Sequence, residues 1–142
     1  MKNSSPVQIH VHSVIKSGET EEIIEFKTTG EYYQKESSSY LSYKEEHDFG
    51  NVSTVVKMNE EEVFIMRSEA LRMRQRFIPN EDTITDYKTP IGQLQLTTRT
   101  LGLAYDHSIK PLQGRLKLTY ELEIGEAEKH LHTLTISYKE EE

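Results

Sequence analysis

The sequence predicts an all-β protein, a closed antiparallel up-and-down barrel of about eight to ten strands. Three observations carry that prediction. Val, Ile, Thr, Tyr and Phe, the residues that suit a pleated, half-buried surface, fill 43 of the 142 positions, against three alanines. Apolar residues recur at every second position in one segment after another, and no window repeats them at helical spacing. Turn-forming residues separate these segments: Ser17-Gly18, Gly50-Asn51, Met58-Asn59, Pro79-Asn80, Pro90-Ile91-Gly92, Pro111 to Gly114 and Gly125-Glu126. Many long strands in so short a chain leave a sandwich or a barrel. The short connections favour the barrel, because closure removes edges that would otherwise pair with other chains.

Taken in order, the segments show their phase. Val7, Ile9 and Val11 alternate with polar neighbours, so one face of the first strand is apolar and His10 and His12 point to the other. Ile24 and Phe26 alternate in the second. KESSSYLSYKEEH, residues 35–47, reads as one polar strand in which Leu41 and Tyr43 oppose Tyr40. VFIM, residues 63–66, is apolar on both faces, so its phase is weak, but carrying the parity of Val63 and Ile65 forward aims Arg67 at the interior. Leu71, Met73 and Phe77 follow, then Leu94 and Leu96. Clearest of all is Leu116, Leu118, Tyr120, Leu122 and Ile124. The last segment, HLHTLTI, places His130 and His132 in phase with Leu134, Ile136 and Tyr138, on the core side. In an up-and-down barrel its strand and the first close the sheet on each other.

The length fits one domain, residues 1–142, large enough to bury a core without cross-links. There is no cysteine, which excludes disulfides and thiolate chemistry and suits a reducing compartment. MKNSSPVQ has no apolar run of the secretory type, and the longest stretch free of Asp, Glu, Lys and Arg, residues 3–15, is too short to span a bilayer as a helix. A cytoplasmic location without membrane contact is the expectation. The net charge of −7 is concentrated in runs at Glu45-Glu46, Glu60 to Glu62 and Glu140 to Glu142, which makes nucleic acid an unlikely partner.

EVFIMRSEALRMRQRF, DYKTPIGQLQLTTRTLGL and GRLKLTYELEI, in that order, resemble the YwiB family of small uncharacterised bacterial proteins. The resemblance covers nearly the whole chain and rests most on Tyr87-x-Thr89-Pro90-x-Gly92 with Thr100 beyond it, on Arg67 after VFIM, and on Gly114 to Ile124. It implies a calycin-like barrel similar to lipocalins and fatty-acid-binding proteins, and no activity. One departure stands out: where the family tends to place a glycine after Arg67, this chain has Ser68-Glu69-Ala70.

No motif for nucleophilic, phosphoryl-transfer, dinucleotide or zinc chemistry is present, so the reading leans away from an enzyme and implies no cofactor. Glu45 and His47 share a face and form the nearest approach to a base with its orienter. Arg67, if inward, needs an internal carboxylate or a bound one. With Tyr120, Tyr87 and Thr89 it makes up the expected ligand-binding set, for a small molecule in or at the mouth of the barrel whose charge partner, if it is anionic, is Arg67. Arg72, Arg74 and Arg76 share the outer face and define the alternative, a surface that docks protein or RNA. The two His-x-His pairs look like metal ligands but point to opposite faces of the sheet, so no metal site is expected.

Overall fold

The computed structural model describes residues 4–48, 50–125 and 128–141, and among them every regular element is a strand. The ten strands are β1 (Ser4–Ser17), β2 (Thr20–Lys35), β3 (Ser38–His47), β4 (Gly50–Met58), β5 (Val63–Glu69), β6 (Arg72–Phe77), β7 (Asp82–Thr89), β8 (Gly92–Ile109), β9 (Leu112–Ile124) and β10 (Glu128–Glu140). Each pairs antiparallel with its neighbour in the chain, and β1 closes the barrel against β10. The register of that closure sets Val11 opposite Ile136 and His12 opposite Thr135, so the first and last strands are adjacent as their sequences suggest.

Alternation places the core. Val7, Ile9 and Val11 from β1, Leu116, Leu118 and Tyr120 from β9, and Leu134, Ile136 and Tyr138 from β10 are buried inside with Val56, Val63, Ile65 and Phe77. A second, smaller apolar cluster of Val52, Leu71, Met73 and Leu96 fills the same lumen nearer one end. The 18-residue β8 bends around the core at a bulge between Thr100 and Gly102, which shifts the inward positions from Leu96, Thr98 and Thr100 before it to Leu103 and Tyr105 beyond it.

Two local features depart from the sequence reading. Residues 35–47 are not one strand: Lys35 ends β2, Glu36 turns at φ 58° and β3 begins at Ser38. Neither Glu nor Ser signals a left-handed turn, so the break is invisible to composition. The connection from β8 to β9 is confined to Lys110-Pro111, and Leu112 to Gly114 already lie in β9. Gly125 is described, while Glu126 of the same predicted turn, Glu142 of the terminal acidic run and the side chain of His47 lie outside the described residues.

The barrel has one conspicuous seam. β2 pairs with β3 only from Gly30 to Lys35, so among the described residues its stretch from Thr20 to Thr29 is hydrogen-bonded to β1 alone. Gly30 sits at the branch point because a side chain there would run into the carbonyl oxygen of Ser42 and the Ile9 side chain.

Candidate functional site

A belt of polar side chains crosses the lumen between the two apolar clusters. On β4 the inward series runs Val52, Thr54, Val56; on β6 it runs Met73, Gln75, Phe77; on β8 it runs Leu96, Thr98, Thr100. In each strand a polar residue occupies the same phase as the core and is flanked by apolar ones. Arg67 on β5, Thr85 on β7, Glu45 on β3 and His132 on β10 complete the belt.

Arg67 faces the lumen, as its parity predicts. Its Nη2 is 3.7 Å from Glu45 Oε1, with the two side chains 27% and 16% exposed, so the pair is largely but not wholly withdrawn from water. The same carboxylate oxygen accepts from Thr54 Oγ1 at 3.0 Å, and burial, with Glu45 beside it, pushes the Tyr43 hydroxyl well above its ordinary range. Tyr120 lies one layer further in, stacked on His132 at 4.8 Å between centroids and meeting Phe77 edge-on at 4.8 Å. Burial raises its pKa to about 12 against the opposing field of Arg67. His132 moves the other way, to about 4, first through burial and then through the neighbouring His130, so it is a neutral imidazole near pH 7.

What distinguishes the belt is incomplete hydrogen bonding. Gln75 Nε2 donates to Thr98 Oγ1 at 2.8 Å. Arg67 Nε, Thr85 Oγ1, Thr100 Oγ1 and His132 Nε2 are buried with no hydrogen-bond partner among the described residues. Thr100 and His132 are the register neighbours of Tyr120 on either side, and the Arg67 charge acts on the same ring, whereas Thr85 lies in the row of Leu96. Buried polar groups are ordinarily satisfied, and leaving one unpaired costs about 1–3 kcal/mol. The opposite end of the barrel is closed differently: Tyr32 bonds Ser39 at 3.1 Å and Tyr105 bonds Tyr138 at 2.7 Å, so its buried hydroxyls are paired.

The remaining predicted residues fall elsewhere. Tyr87 packs with the smaller apolar cluster near the belt. The Thr89 hydroxyl is committed to its turn, donating to the Gly92 carbonyl at 3.1 Å and accepting from the Ile91 amide at 3.3 Å. On the outer face Arg76 pairs with Glu62 at 3.0 Å and Arg74 lies 5.7 Å over the Phe64 ring, so two of the three arginines have intramolecular partners and Arg72 remains exposed. The His-x-His pairs are on opposite sides of the sheet. His10 contacts Glu25 outside at 2.5 Å, while the rings of His130 and His132 lie 6.2 Å apart on the inner side. The sequence reading gave no binding role to Thr54, Gln75, Thr85, Thr98, Thr100 or His132, although it set His132 on the core side. For Thr54, Gln75, Thr98 and Thr100 the signal was present as a polar interruption at core phase in three separate strands, β4, β6 and β8.

The fold and belt define a class, the closed antiparallel β-barrel with a partly polar lumen. The chain belongs to the family described as a domain of unknown function, DUF1934, whose model matches residues 9–136. It is 45% identical to the uncharacterized beta-barrel protein YwiB of Bacillus subtilis (strain 168), over 98% of this chain and 96% of that protein. The crystal structure of the ywiB protein from Bacillus subtilis superposes with a TM-score of 0.91 at 42% identity, covering 99% of this chain and 96% of that one.

Proposed function

We propose that the protein is a non-enzymatic binding protein that holds one small polar molecule in the belt, with Arg67, Thr100 and His132 as its direct contacts and Tyr120 as the wall it lies against. The observation that carries this is that three buried polar atoms without a partner among the described residues, on Arg67, Thr100 and His132, lie around Tyr120. Such a set is stabilised by an occupant that supplies matching donors and acceptors. Arg67 offers a donor, the threonine hydroxyls offer either role, and the neutral His132 offers one donor and one acceptor site. Charge narrows the ligand further. Arg67 is set against Glu45 and His132 is neutral, so the belt has little net charge and favours a polar molecule with at most one acidic group over a polyanion. The partial exposure of Arg67 and Glu45 gives it a way in. A cytoplasmic location, suited to a chain without cysteine, and a single folding unit over residues 1–142 belong to the same reading.

Native mass spectrometry of protein purified without denaturation tests it. The expected result is a small-molecule adduct on the wild type that is lost from Arg67→Met and Thr100→Val. A bare mass, joined by no thermal shift across a panel of small carboxylic acids and polar neutral metabolites, overturns the reading.

A further inference from the structure

The free stretch of β2 is an exposed backbone template. From Thr20 to Thr29 the ladder to β1 is complete and the ladder to β3 is absent, so one row of N–H and C=O groups is unpaired by any strand among the described residues. Proteins usually hide such an edge or blunt it with proline, a bulge or charged side chains. Here it carries no proline and no bulge; its charges are Glu21, Glu22, Glu25 and Lys27, and both of its faces show an exposed isoleucine: Ile23 is 58% exposed and Ile24 44%.

We infer that this edge is where two copies of the chain join, β2 against β2, to make one continuous antiparallel sheet across a two-fold axis. The charges along the edge select the register. With the axis perpendicular to the sheet, residues of like phase must face each other, so the two numbers in each pair sum to an even value. Only two such registers make full use of the free stretch, one centred on Ile24 and one centred on Glu25. Centring on Glu25 sets that carboxylate against its own copy, which is destabilising. Centring on Ile24 sets Ile24 against the partner's Ile24 and Glu21 against the partner's Lys27, twice over by symmetry. It also runs from Thr20 to Thr28, stopping short of Gly30, where β3 takes over the edge. Lys27 makes no ion pair among the described residues, and Glu21 has only a loose contact of 3.8 Å with Lys16, so both are available. The occupant is a second copy because a generic extended peptide supplies the backbone hydrogen bonds but not this reciprocal pairing of charges.

Charge-swapped variants test the inference on the full chain by sedimentation velocity, with circular dichroism to confirm that each is folded. Wild type is expected to dimerise with rising concentration. Lys27→Glu alone and Glu21→Lys alone each set like charges opposite one another and are expected to weaken self-association at least tenfold. Mixed in equal amounts, these two variants present Glu against Lys at both positions and are expected to form a heterodimer near wild-type affinity. A wild type that stays monomeric through the concentration range overturns the inference. So does a dimer that neither substitution weakens, or a mixture of folded variants that fails to associate.

Discussion

Arg67 and Glu45 are worth more as a pair than either is alone. Replacing Arg67 by Met leaves a carboxylate that is 16% exposed with hydrogen bonds but no counter-charge, and the expected cost is about 2–3 kcal/mol in urea denaturation. Glu45→Gln keeps an acceptor for Thr54 and should cost less. His132 gives the barrel a pH dependence whose sign follows from its depressed pKa. Between pH 6.5 and about 4 the unfolded chain holds a proton that the folded chain does not. Stability contributed by neutral His132 is therefore complete above 6.5 and lost as pH falls towards 4, with a slope of at most about 1.4 kcal/mol per pH unit, less where solvent screens the ring. Urea midpoints followed over that range should fall more steeply for wild type than for His132→Gln. Thr100 separates stability from binding. Its hydroxyl is buried and unpaired, so Thr100→Val should raise stability of the ligand-free protein by about 1 kcal/mol while weakening retention of the ligand. Equal loss of both in the variant would contradict the assignment of Thr100 to a polar occupant.

At the scale of elements, backbone constraints decide features that side-chain patterns do not show. The turn from β5 to β6 is entered at Glu69, whose φ of 83° is a conformation that suits glycine. Here the Glu69 carboxylate is also held by Ser53 Oγ at 2.5 Å, tying the turn to β4. Gly114 on β9 is needed for a different reason. A side chain there would enter the ring of Tyr138, which itself stacks on Tyr32 and bonds Tyr105. Gly114→Ala must displace that tyrosine and is expected to lower stability by about 1–3 kcal/mol, with the change visible in near-ultraviolet circular dichroism. Long alternating strands such as β9 were legible because both of their neighbours follow the same phase. The break at Glu36 was not, because it depends on a left-handed residue whose type does not announce it.

For the whole molecule, closure and the split at Gly30 work together. Pairing β1 with β10 removes one pair of edges, yet the divergence of β2 from β3 leaves another, which lies beside the polar belt. The arginines of β6 looked like the chemical feature of the chain because three of them are adjacent in sequence. Two of them have partners within the fold. The unpartnered groups of the belt come instead from β5, β7, β8 and β10, spread from residue 67 to residue 132. By itself the sequence determined the all-β class, the phase of most strands and the closure of the first strand on the last. All of these depend on local alternation, which a strand carries in its own residues. Only the tertiary structure decided that Glu45 is the partner of Arg67, that threonines on separate strands share one layer, and that β2 leaves β3 at Gly30. Those facts depend on register between strands, and register is fixed by packing and turn geometry across the closed sheet.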